Sequence, residues 1–144
     1  MKIRNSEFIE TLIPLLSTEK TVRFRIKGMS MYPLLRSDRD LVDLRRTNEP
    51  RMGDIVLARV SEDQYVLHRV IKKEGDRLTL MGDGNIYAKE SCLCSDVIGK
   101  AVMVIRNGRS IDTKNIVYRM YSFLLMRMNP IKKQVYQVYQ LARK

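Results

Sequence analysis

Apolar side chains at Phe8, Ile9, Leu12, Ile13, Leu15 and Leu16 recur close to every 3.6 residues. With Asn5 or Ser6 as an N-cap and Glu7 and Glu10 in the first turns, the spacing predicts a short helix that meets Pro14 near its end. The next stretch, Thr21-Val22-Arg23-Phe24-Arg25-Ile26-Lys27, alternates apolar and basic positions as a half-buried strand does, and Gly28 ends it. From residue 41 to residue 105, β-branched runs are separated by Gly, Asp and Asn, predicting strands over 41–44, 54–60, 65–72, 77–81 and 97–105. Asn107-Gly108 is a turn signal, after which the period changes. Ile116, Val117, Met120, Tyr121, Leu124, Leu125 and Met128 then describe an amphipathic helix, interrupted at Asn129-Pro130 and resumed through Val135, Val138, Tyr139 and Ala142. The expected architecture is mainly β: a compact, mostly antiparallel domain over 21–108, preceded by a helix within 1–20 and followed by a helical tail over 109–144.

Composition narrows the class. The chain has 144 residues, 44 % hydrophobic and 30 % charged, which suits one globular domain rather than a disordered or low-complexity chain. A spanning helix needs about 20 mostly apolar residues, and the purest runs here, 101–105 and 123–126, are far shorter. Ser6, Glu7 and Glu10 break up the N-terminus before a signal-peptide core can form, so the expected location is the cytoplasm. Cys92 and Cys94 agree with that compartment, since a Cys-x-Cys pair bridges itself poorly. One histidine supplies a zinc site badly, and no cofactor is expected.

The formal net charge is +11, and its distribution matters more than its size. Residues 113–144 hold seven Lys or Arg (Lys114, Arg119, Arg127, Lys132, Lys133, Arg143 and Lys144) and no acid. Such a tail either packs its apolar side on the β-domain or lies on an anionic membrane surface, with Tyr118, Tyr121, Phe123, Leu124 and Leu125 entering the acyl boundary. Nucleic-acid binding is the weaker alternative, because basic charge alone gives phosphate affinity without specificity.

Three stretches carry candidate chemistry. Gly28-Met29-Ser30-Met31-Tyr32-Pro33 places a serine after a strand and a glycine, with a proline restraining the backbone, one way to hold a hydroxyl where backbone N–H groups face a carbonyl. Gly53-Asp54 leads through a strand to His68-Arg69-Val70-Ile71, and Gly82-Asp83-Gly84-Asn85 closes the series. In this order they resemble the signal-peptidase-I-like serine peptidase superfamily, which joins type I signal peptidases to self-cleaving SOS-repressor domains, over roughly 22–105. The resemblance implies Ser30 as nucleophile, with Gly28, Met29, Met31 and Pro33 around the substrate or oxyanion. At the base position many members carry lysine, whereas His68 is similar to the histidine-type signal peptidases. The usual Gly-Asp after the nucleophile appears as Arg39-Asp40.

His68 shares a strand face with Val66 and Val70, an apolar setting that suits a neutral, proton-accepting imidazole. For a third member that orients His68 or braces the site, Asp83 leads and Glu90 follows. Asp40 and Asp54 read as turn braces. The implied activity is hydrolysis of a peptide bond in a protein or peptide precursor by a Ser30–His68 pair, with no membrane anchor of its own. The alternative is a regulatory or peptide-binding module of the same fold, non-catalytic or self-cleaving. Residues 1–29 contain no alanine, so the Ala-Gly bond that the repressor branch cuts is missing, and one short helix cannot make a helix-turn-helix.

Overall fold

The computed structural model describes residues 2–3, 6–18, 21–25, 31, 35, 39–62, 64–84, 88–127 and 129–143. Its elements are β1 (Lys2–Ile3), α1 (Ser6–Leu16), β2 (Val22–Arg25), β3 (Asp40–Arg45), β4 (Ile55–Ser61), β5 (Gln64–Glu74), β6 (Arg77–Met81), β7 (Glu90–Leu93), β8 (Val97–Arg106), β9 (Arg109–Asp112), α2 (Ile116–Arg127) and α3 (Asn129–Arg143). The main sheet runs β2-β3-β8-β4-β5-β6-β7, with β1 added to β5 and β9 to β8. Every pairing is antiparallel, as expected from the alternating runs.

The central strands are covered on both faces. Along β4, Ile55 and Leu57 point into one apolar cluster and Val56 and Ala58 into another, the period-2 alternation of a pleated strand. The first cluster packs Leu12 and Leu16 of α1 against Leu44, Leu57, Leu67, Ala101 and Val104, and includes Met31, Leu35 and Tyr118. The second joins Val56, Val66, Val70, Leu78, Leu80, Cys92 and Val97. Thus β5 sends Leu67 to one side and Val66 and Val70 to the other, and its two central polar residues, His68 and Arg69, are buried on opposite faces.

Residues 109–112 belong to the sheet rather than to the tail. Asn107 (φ 51°) and Gly108 (φ 78°) both lie in the left-handed region, the backbone of a two-residue hairpin turn, which returns the chain along β8 as β9. The helical tail begins at Ile116, where Asn115 Oδ1 accepts the Val117 N–H at 2.8 Å and caps α2.

Gly99 on β8 marks a close backbone approach. A β-carbon there would sit 2.9 Å from the Arg45 carbonyl oxygen and 3.5 Å from Leu16 Cδ1, so backbone would have to move. Gly99→Ala is expected to lower the urea-unfolding free energy by about 1–3 kcal/mol. An unchanged midpoint would mean that the β3–β8 bulge relaxes at no cost.

Candidate functional site

Register brings the site's polar groups together. Val70 on β5 pairs with Leu80 on β6, which pairs with Glu90 on β7, so these side chains share a face; His68, two residues back on β5, lies on it too. From that diagonal position Glu90 Oε2 lies 2.9 Å from His68 Nδ1. His68 is 1 % exposed and the Glu90 side chain 16 %. A carboxylate only accepts, so Nδ1 carries the proton in this pair and the lone pair of the neutral ring sits on Nε2. Of the two carboxylates considered for orienting His68, Glu90 is the one paired with it.

Asp83 faces a different partner. Arg69 points to the other side of the sheet, where Nε donates to Asp83 Oδ1 and Nη2 to Asp83 Oδ2, both at 2.7 Å, and Nη1 donates to the Gly53 carbonyl at 2.8 Å. Arg69 is 0 % and Asp83 5 % exposed. Burial works against the Arg69 charge, but the Asp83 hydrogen bonds and charge outweigh it, with a smaller contribution from Tyr118, and hold the guanidinium above its ordinary pKa. Burial likewise pushes the Tyr118 phenol up and keeps it neutral.

Met31, expected beside the substrate, has a side chain 1 % exposed within the first core cluster. The Asp83 backbone N–H donates to Met31 Sδ at 3.4 Å, and Met31 O accepts from Leu35 N at 2.9 Å. The thioether thus anchors the chain next to residue 30 and presents no surface to a substrate. Gly28, Met29, Ser30 and Pro33 lie outside the described residues.

The remaining acids hold local structure. Asp54 Oδ2 accepts the Arg51 N–H at 2.9 Å and braces the turn into β4, as expected. Asp40, also expected to brace a turn, does more. It is fully buried at the start of β3, with Arg39 on both carboxylate oxygens at 2.8 and 3.1 Å and Arg106 at 3.4 Å; it is the centre of an ion-pair cluster.

Cys92, on the second core face, has its thiol pushed up to about 11, chiefly by burial and then by the charges of Asp96 and Cys94. A raised thiol pKa means less thiolate at any given pH, so Cys92 is expected to resist iodoacetamide at pH 8 in the native protein and to react on unfolding. Peptide mapping by mass spectrometry checks this; rapid native labelling of Cys92 would contradict it.

A family model described as Peptidase S24-like matches residues 4–102. The match takes in the stretch around residue 30, both turns that meet Arg69, and the His68–Glu90 pair, and it ends before β9 and the two tail helices.

Proposed function

This chain belongs to the Peptidase S24-like family, and from that premise we propose that it is a serine endopeptidase acting on a protein or peptide precursor through Ser30 and His68, with Glu90 orienting the base. The observation that carries this reading is the buried His68–Glu90 pair at 2.9 Å, which fixes the imidazole in the tautomer a general base needs. On this reading His68 Nε2 takes the Ser30 hydroxyl proton as Oγ attacks the substrate carbonyl, and returns it to the leaving amine. Water then repeats the sequence to release the acyl group. Glu90 stabilises the imidazolium that forms in each half, and the Ser30 N–H contributes to the oxyanion hole. Asp83 acts as a brace: with Arg69 it ties the turn after β6 to the turn before β4, and its N–H holds Met31. The free Cys92 and Cys94 favour a reducing, cytoplasmic setting, and no described helix is long and apolar enough to cross a membrane.

The test is mass-spectrometric profiling of a diverse peptide library incubated with wild-type protein and with Ser30→Ala. Fragments produced by the wild type and missing with Ser30→Ala are expected. Equal fragmentation by both proteins, or none by the wild type, would sink the reading; shortening of the chain itself with no library product would move it to the self-cleaving class.

A further inference from the structure

Helix α2 is mounted inside out. The side it turns to the sheet carries Tyr118 and Ser122, 9 % and 5 % exposed, followed one turn later by the half-buried Met126, whose sulfur lies near Gly53. The side it turns outward carries Ile116, Val117, Met120, Phe123 and Leu124, each more than half exposed. A surface helix in water buries its apolar stripe, and a contiguous exposed patch of this kind marks a contact surface. Helix α3 continues it with Val135, Val138 and Leu141, exposed by 62 %, 65 % and 70 %.

Beside this patch lies a cavity of about 720 Å³ between α2, β8 and the 51–55 turn. Five cations line it (Arg51, Lys100, Lys114, Arg119 and Arg127), against one acid, Asp54, whose carboxylate already accepts the Arg51 N–H. Among the described residues none of the five is in a salt bridge. Arg127 instead stacks over Phe123, 4.9 Å from the ring centroid. Ser122, buried in the cavity wall, sets its hydroxyl beside the Tyr118 phenol. Cationic lining and adjoining aromatic and aliphatic side chains are complementary to an anionic amphiphile.

We infer that α2, α3 and this cavity form a docking surface for an anionic phospholipid bilayer, the cavity receiving a lipid phosphate while the outward face of α2 enters the acyl boundary. The charge pattern argues for this occupant over another protein: residues 113–144 have seven cations and no acid, so two copies of the patch repel, whereas an anionic leaflet attracts each Lys or Arg. The inference does not depend on peptidase activity.

Co-sedimentation of the full chain with phosphatidylcholine vesicles, with and without phosphatidylglycerol, tests it. Retention is expected only with phosphatidylglycerol. Arg119→Glu at the cavity should reduce it by about tenfold, whereas Arg77→Glu, an equal charge change at the β5–β6 hairpin, should reduce it less than about twofold. Phe123→Ser with Leu124→Ser, both exposed, should reduce it by about tenfold while the circular dichroism spectrum and melting temperature stay unchanged. No retention, equal loss with Arg119→Glu and Arg77→Glu, or indifference to the apolar pair would overturn the inference. So would duplex DNA competing as well as vesicles, which marks a generic polyanion site, or a dimer in sedimentation velocity that the apolar pair dissolves.

Discussion

Glu90→Gln is expected to cut the cleavage rate by a factor on the order of 10²–10⁴ while leaving KM close to wild type. Glutamine fills nearly the same volume, but its amide N–H can donate to His68 Nδ1 and hold the imidazole proton on Nε2, the wrong atom for a base, and it brings no charge to balance the imidazolium. On the proposed mechanism Glu90 acts through His68, 2.9 Å away, so the loss falls on kcat. His68→Ala should remove activity to background, and Glu90→Asp should recover part of the glutamine loss, since the carboxylate survives one methylene short. Steady-state kinetics on a peptide from the library screen decides the matter. Full activity in Glu90→Gln, with the fold intact by circular dichroism, would show that the carboxylate has no part in positioning the base.

The long strands were legible because each side chain alternation reports one face, and β4 to β6 and β8 fall within a few residues of the runs that predict them. β7 carried no such signal. Glu90-Ser91-Cys92-Leu93 has one strong apolar residue, and it becomes a strand because Leu78–Cys92 and Leu80–Glu90 register against β6, a pairing that no local propensity encodes. β9 was hidden differently: its turn was visible, but Arg109-Ser110-Ile111-Asp112 reads as polar linker until the left-handed pair at 107 and 108 folds it back.

The same non-local register decides which partner each of Asp83 and Glu90 meets. Asp83 sits in a glycine-rich box with the motif's order behind it, and sequence spacing ranks it first. Which carboxylate meets the histidine depends on pleat phase: His68 and Arg69 are neighbours in the chain and point to opposite faces, so Glu90 on one side meets the imidazole and Asp83 on the other meets the guanidinium. The sequence also contained a clue to the second pair, since an arginine between Leu67–His68 and Val70–Ile71, in a strand whose centre must be covered on both faces, needs a buried counter-charge.

That counter-charge sets the largest expected change in stability. Arg69→Met is expected to cost about 3–5 kcal/mol, because it leaves the 5 %-exposed Asp83 carboxylate without its cation and the Gly53 carbonyl without its donor. For a chain of this size that is a fall in Tm of roughly 10–15 °C. Asp83→Leu should cost a similar amount by leaving the guanidinium unmatched. The double variant removes both charges together, so its loss should fall short of the sum of the singles by at least about 2 kcal/mol. The pair's worth therefore lies less in net stability than in linkage: one guanidinium fixes the turn before β4, the turn after β6 and, through Asp83, the N–H that holds Met31. Urea denaturation of the four proteins measures all three quantities. Additive losses would mean that the two side chains act separately, and single losses below about 1 kcal/mol would mean that water reaches the site and the pair is in effect a surface salt bridge.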